Sequence, residues 1–314
     1  MSRILIALFA LLSFGSSNAQ ERYPSKPVQV ITVFDVGGGV DVVARSYAAE
    51  MTKLLGQSFV VVPKVGAAGS IGFAALAAAN PDGSIISFAP ATPLVNSTHV
   101  MKNLSYGFDS VVPVCGVFDN VFSVVVPPSS QYKTLKDLLD DARARPGKIP
   151  YGNSGLGSVP HFSMAALTRA AGVSMNPVAY KGDAGILPNL LSGELPVAIL
   201  GVSSIFGRDV RVLALFSDKR QRAFPDVPSV TELGFPKIPQ GAVGVFAPKG
   251  TPRPVLDTLE RTCEQVTHMP SFIAGVEKLN QAVEYQGSAE FAKSLKANYD
   301  FIGRLIKDIR FGQD

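Results

Sequence analysis

The chain has 314 residues, 29 basic against 25 acidic, with a formal net charge of +4, two cysteines, three histidines and no tryptophan. So mild a charge, scattered except for Lys219-Arg220-Gln221-Arg222 ahead of Pro225, argues against nucleic acid as a partner. His99, His161 and His268 form no HxxxH or CxxC spacing with each other or with the cysteines, which argues against a metal site.

The first residues, MSRILIALFALLSFGSSNAQ, carry one basic residue, Arg3, then an apolar run and the small-residue segment Ser16-Ser17-Asn18-Ala19. This pattern predicts a signal peptide at 1–19, cut after Ala19, and an exported, soluble mature chain. No later stretch approaches the ~20 apolar residues that a membrane span needs. At ~100–200 residues per domain, the length points to two domains. In an oxidising compartment Cys115 and Cys263 form either a disulfide or two buried thiols.

Strand-like and helix-like segments then alternate, which predicts an α/β protein with largely parallel sheets. Residues 28–34 read as a strand, and Val42, Val43, Tyr47, Met51, Leu54 and Leu55 mark one face of the helix after it. A short strand at 59–63 precedes an alanine-rich helix capped by Ser70, which stops at Asn80-Pro81-Asp82-Gly83, and a strand follows at 85–88. The continuous apolar run 121–126 suits a sheet centre. Thr134 and Asp137 have the spacing of a capping box, so a helix runs from there to Arg145-Pro146-Gly147. A strand at 149–151 leads into GNSGLGSVPH and a helix at 162–171. Strands at 178–180, 197–201, 212–216 and 244–247 follow, with a helix to Leu191 after the first and a proline-rich span, 224–239, before the last. The tail is helical over 252–268, 270–280 and 288–310, with Pro252 placed for a first helical turn.

Strand, glycine-rich loop and helix thus occur together twice, at 28–55 and 149–171. The loop Gly37-Gly38-Gly39 is not a dinucleotide fingerprint, because Val42 stands where the last glycine belongs, and no Gly-Lys-Ser/Thr follows for a Walker loop. Two readings remain: a tight turn that needs glycine, or an anion held by exposed N–H groups at the positive end of a helix. The segments Gly66-Ala67-Ala68-Gly69-Ser70 and Gly152-Asn153-Ser154-Gly155-Leu156-Gly157-Ser158 also run into helix starts, which favours the anion. Ser158 additionally suits an N-cap. Ser154 or Ser158 with His161 lacks the GxSxG elbow of an α/β hydrolase, and His161 lies too near along the chain to act as the usual base.

These segments resemble one family. Gly37-Gly38-Gly39-Val40-Asp41-Val42-Val43-Ala44-Arg45, Gly66-Ala67-Ala68-Gly69-Ser70-Ile71-Gly72, Asn80-Pro81-Asp82-Gly83 and Thr134-Leu135-Lys136-Asp137-Leu138 come in the order seen in the Bug (Bordetella uptake gene) receptors. So do Gly155-Leu156-Gly157-Ser158 with His161, Tyr180-Lys181-Gly182, Phe224-Pro225-Asp226-Val227-Pro228 and Ala247-Pro248-Lys249-Gly250-Thr251-Pro252. These receptors are the periplasmic solute-binding subunits of tripartite tricarboxylate transporters. The resemblance implies a two-lobed α/β fold of the type II periplasmic binding class, a Venus flytrap with its ligand cleft between lobes. It puts lobe one at 21–124 plus 243–314 and lobe two at 125–242. It implies a non-enzymatic monomer in the periplasm, without cofactor, that binds a small organic acid, amino acid or aromatic carboxylate and delivers it to membrane permease subunits. The alternatives are a ligand sensor acting in signalling and, further off, the hydrolase.

By the same resemblance the ligand lies between the loops 34–41 and 153–161. The residues concerned are Phe34, Asp35, Val36, Gly37, Gly38, Gly39 and Asp41 on one side, and Asn153, Ser154, Gly157, Ser158 and His161 on the other. The segments 89–92 and 201–204 supply further walls, including Ala91, Thr92 and Ser203, and Ser70 and Asp183 complete the set. The chain departs from the family at Asp35 and Val36, where Ala-Pro is usual, at Val40 in place of threonine, at Asp183 in place of Ser or Gly, and at Leu200-Gly201-Val202-Ser203-Ser204. Asp35 either meets a cationic or hydrogen-donating group on the ligand or turns outward as a loop cap.

Overall fold

Two mixed sheets carry the chain in a computed structural model that describes residues 23–309 except 35, 156, 206, 222, 237, 239 and 240. The signal-peptide segment and Asp35 lie outside the described residues. In chain order the elements are β1 (Val28–Thr32), α1 (Gly39–Leu55), β2 (Phe59–Pro63), α2 (Ser70–Ala77) and β3 (Ile85–Pro90), then a π-turn (Pro93–Ser97), α3 (Thr98–Val100) and β4 (Val111–Asn120). Next come β5 (Phe122–Val126), α4 (Leu135–Ala144), β6 (Pro150–Asn153), α5 (Val159–Ala170), β7 (Asn176–Ala179), α6 (Asp183–Leu191), β8 (Val197–Gly201) and β9 (Arg211–Phe216). The chain ends with β10 (Gly241–Pro248), α7 (Arg253–Thr267), α8 (Pro270–Glu277), β11 (Gln286–Gly287) and α9 (Ser288–Ile309).

The first sheet has the order β11-β4-β10-β3-β1-β2 and the second β7-β6-β8-β5-β9. β1 pairs in parallel with β2 and β3, and β6 with β7 and β8. The pairs β10 with β3, β10 with β4, β11 with β4, β5 with β8 and β5 with β9 are antiparallel. The sheets are therefore mixed rather than largely parallel. The βαβ units supply the parallel pairs, while β4, β5 and β10, the strands next to the crossings between sheets, run against their neighbours. β4 is a strand that sequence periodicity missed, because Pro113 and Gly116 interrupt it and two register shifts against β10 break its alternation.

Alternation along β1 sorts the first core into two layers. Val28 and Val30 face Tyr47 and Met51 of α1 with Leu259 and Cys263 of α7, whereas Ile31 and Val33 face Phe73 and Leu76 of α2 with Phe291 and Leu295 of α9. The second sheet repeats the plan. Val124 and Val126 meet Leu135 and Leu138 of α4 and Leu167 of α5, and Val125 with Ala198 meets Ile186 and Leu190 of α6.

Local capping follows the sequence reading at α4, where the Thr134 hydroxyl accepts from the Asp137 N–H and the Asp137 carboxylate accepts from the Thr134 N–H. At α2 the structure differs. Ser70 is the first helical residue and Gly69, in the left-handed region, precedes it as the cap. Its hydroxyl instead reaches Met101 Sδ at 3.5 Å.

The chain passes from the first sheet to the second at Val121 and returns ahead of Gly241, so the second sheet is an insertion in the first. Cys115 of β4 and Cys263 of α7 are bonded within the first core, 148 residues apart in sequence, and the loop they close contains the whole second sheet. Closing so long a loop removes much denatured-state entropy. Replacing both cysteines by alanine is expected to lower the unfolding free energy by about 2–5 kcal/mol. Urea titration of oxidised and double-variant protein measures this, and coincident transitions would refute it.

Candidate functional site

The loops that follow β1, β3, β6, β7 and β8 leave the carboxyl ends of their strands on facing sides of one gap, the place where open α/β sheets hold ligands. The gap holds about 550 Å³ of space free of protein atoms, part of it open to solvent. Phe34, Gly38, Gly39, Val40, Asp41, Pro90, Thr92 and Asn120 line it from the first sheet. Phe122, Ser154, Ser158, Val159, Pro160, Asp183, Ala184, Ser203 and Ser204 line it from the second.

Three helices begin at this cavity: α1 at Gly39, α5 at Val159 and α6 at Asp183. The first N–H groups of a helix have no intrahelical acceptor and carry its positive end. Three such ends aim partial positive charge at one cavity beside the hydroxyls of Thr92, Ser154, Ser158, Ser203 and Ser204, and the carboxylates of Asp41 and Asp183 stand in the first turns of two of them. No lysine, arginine or histidine stands among the described lining residues.

Several loop residues bond to one another. The Asp41 carboxylate, 3% exposed, accepts from the Gly37 N–H at 3.0 Å and from Arg45 through Nε at 2.8 Å and Nη2 at 3.1 Å. Asp41 thus caps α1 from within its first turn, its charge is matched by Arg45, and the Gly37 amide is taken. Ser158 is the N-cap of α5, its hydroxyl accepting from the His161 N–H at 3.4 Å. The Gly157 N–H donates to His161 Nδ1 at 3.1 Å, which fixes the ring as the Nε2–H tautomer when neutral. Burial pushes the His161 ring down to about 4. Asn153 is buried and its Oδ1 accepts from the Gly155 N–H at 3.0 Å.

Asp183 fastens the second wall. Its Oδ1 accepts from the Ser154 hydroxyl at 2.7 Å and its Oδ2 from the Gly201 N–H at 2.9 Å, which ties the ends of β6 and β8 to the start of α6. Asn120, at the crossing, accepts from Gln281 Nε2 at 2.7 Å.

Of the residues expected at the site, Phe34, Gly38, Gly39, Asp41, Thr92, Ser154, Ser158, Asp183 and Ser203 come together around the cavity. Gly37 lines the neighbouring cleft that continues past Gly38, Gly39 and Asp183 to Leu187 and Arg208. Val36 points to solvent, 59% exposed. Ala91 belongs to a second space behind Thr92 and Val159, with Asn96 and Ser163. Ser70, Asn153, Gly157 and His161 do not line the cavity; the last three act inside the β6–α5 loop. Asn120, Phe122 and Ala184 are lining residues that sequence reading missed. The Asp-Asn break in FDNVFSVVV, between two apolar runs, was the available signal for the first two.

The two walls touch. A Cβ built on Gly39 would lie 2.1 Å from Ser203 Oγ and 2.4 Å from its Cβ, so only bare backbone fits where α1 begins. At Gly157, whose φ is +81°, a Cβ would meet Val100 Cγ2 at 2.9 Å.

Two α/β sheets with the chain crossing between them, closing on a cavity at their strand ends, define a periplasmic-type solute-binding protein. The chain belongs to the family described as "Tripartite tricarboxylate transporter family receptor", whose profile matches residues 43–311. It is 31% identical over 271 residues to Protein BugT of Bordetella pertussis strain Tohama I, covering 83% of each chain. A solved structure described as a periplasmic transporter superposes with a TM-score of 0.87 at 31% identity, covering 93% of this chain and 100% of that one. The structure of periplasmic binding protein BugD gives 0.85 at 28% identity, covering 92% and 99%.

Two outcomes follow from this geometry. Gly39→Ala is expected to hold the walls apart at a cost of about 1–3 kcal/mol to the closed arrangement, so that affinity for any ligand bridging both walls falls about 5- to 150-fold while the unliganded protein stays folded. Calorimetry together with small-angle scattering reads both, and unchanged affinity would refute the contact. For His161, the unfolded chain takes its proton first, near 6.5, and the folded ring only near about 4. The stability contributed by the buried neutral ring is therefore present above about 6.5 and lost as pH falls toward about 4. Its ring resonances should stay fixed from pH 8 to about 5.5, and a titration near 6.5 would contradict the buried tautomer.

Proposed function

We propose that this protein is a periplasmic receptor that captures a small carboxylate-bearing compound in the cavity between its two sheets and hands it, as a single chain, to the membrane subunits of a tripartite tricarboxylate-type transporter. The observation that carries this reading is the meeting of three helix N-termini, one from the first sheet and two from the second, at one cavity lined with hydroxyls and, among the described lining residues, no cationic side chain. Neutral donors suit a receptor that has to release its cargo, because an anion held by peptide N–H groups needs no buried ion pair to be broken.

Residues up to Asn120 with those from Gly241 onward form one lobe in this reading, and the insertion between them forms the other, turning about Val121 and the return ahead of Gly241. A carboxylate bound to α1 on one side and to α5 or α6 on the other stabilises the closed form over the open one, which is what couples capture to a shape change. A compound held by one wall alone would shift nothing. Family membership supports the transporter assignment, and the resemblance of the first residues to a signal peptide supports export.

A thermal-shift screen of organic acids tests the proposal. A ligand at about 100 times its dissociation constant adds about 2.7 kcal/mol of stability. At least one small carboxylate is expected to raise the melting temperature by several degrees, and a flat response across mono-, di-, tri- and aminocarboxylates would sink the reading.

A further inference from the structure

Behind the first cavity lies a second, smaller space, and Thr92 and Val159 line both. The π-turn after β3 and the middle of α9 close it on the side of the first sheet, through Asn96 and Asn298, and α5 closes it on the side of the second, through Ser163. It holds about 350 Å³ of space free of protein atoms, part of it open to solvent. No charged side chain stands among its described lining residues.

Asn96 is 2% exposed and Ser163 0%, and neither Asn96 Nδ2 nor Ser163 Oγ has a hydrogen-bond partner among the described residues. A hydroxyl in a helical turn commonly bonds the carbonyl four residues back. Thr52, Thr98, Thr168 and Thr262 do so, to Ala48, Leu94, Met164 and Thr258. Ser163 does not, although Val159 precedes it at that spacing in α5. Asn96 belongs to a π-turn, the wide helical turn that recurs at functional sites.

Two polar groups on opposite walls of one uncharged space thus call for a molecule that accepts from an amide N–H and pairs with a hydroxyl. Buried polar groups left without any partner lose the hydrogen bonds that water gives them elsewhere, which is why nearly all of them find one. An ion would meet no counter-charge here. A water occupies roughly 30 Å³ and makes about three hydrogen bonds at a buried site, and Thr92 and Asn298 add further polar groups to this lining.

We propose that this space is a binding site for internal water, a single molecule or two joined in a chain, that carries a hydrogen-bonded link from Asn96 on the first sheet to Ser163 on the second. The link ties the walls together behind the cavity without touching the cargo. In the receptor reading it therefore favours the closed arrangement whichever compound is bound.

Oxygen-17 relaxation dispersion counts waters that stay long enough to tumble with the protein. The wild type is expected to hold about one more such water than Asn96→Leu combined with Ser163→Ala. Ser97→Ala removes another buried hydroxyl without a described partner, outside this space, and is expected to keep the wild-type count. Equal counts in the wild type and the double variant, or the same loss in Ser97→Ala, would overturn the proposal. Where the double variant fails to fold, a wild-type crystal structure with Gly39 against Ser203 decides the matter. Solvent density bonded to Asn96 Nδ2 and Ser163 Oγ supports the site, whereas a cargo atom, a protein group or no density at these atoms overturns it. Such a failure leaves the receptor reading standing, since that depends on the carboxylate screen.

Discussion

The contact of bare backbone with Ser203 at Gly39 is the constraint on which the rest depends. An anion held by peptide groups must lie within about 3 Å of nitrogen, and a helix start delivers its N–H groups only when no side chain stands in front of them. Gly39 meets that requirement and at the same time lets the second sheet approach until Ser203 stands where a Cβ would be. In the receptor reading proposed above, ligand contact and wall contact are therefore one requirement. A larger residue would weaken both together.

So exposed a backbone has to be stiffened by something other than a ligand. Asp41 does this for the first loop by taking the Gly37 N–H and holding Arg45, and His161 does it for the second by accepting from the Gly157 N–H. Each loop is organised by a residue in the first turn of its own helix that reaches back to the peptide before the cap. The donors then left facing the cavity sit on fixed helix ends, which lowers the ordering cost of binding. This is also why Gly37, Gly157 and His161 lie beside the cavity rather than in it.

The strand, glycine loop and helix units were legible in the sequence because each is local: apolar alternation, a turn and a cap fall within a few residues. The place of the glycine loops at helix starts was legible for the same reason. β4 was not, since its register against β10 is set by pairing across the chain and its proline, glycine and bulges blur the pattern. The antiparallel pairs at the crossings were hidden for that reason too. Asn120 and Phe122 reach the cavity only because the chain crosses there, and no motif marks a crossing. Asp183 could be named from sequence, but its bonds to Ser154 and Gly201 join segments 29 and 18 residues away and exist only in the fold.

Topology then limits how the two sheets are joined. The second sheet is inserted between β4 and β10, which are neighbours in the first sheet, so both crossings leave from one edge of the gap. The Cys115–Cys263 bond lies in the first core and joins β4, just before the outgoing crossing, to α7, just after the returning strand. It stiffens the base without spanning the gap. In the receptor reading proposed above, ligand contact therefore acts on the two crossings rather than on the first core. In that reading, a carboxylate that bridges the walls favours the arrangement in which Gly39 lies against Ser203 and Gly157 against Val100.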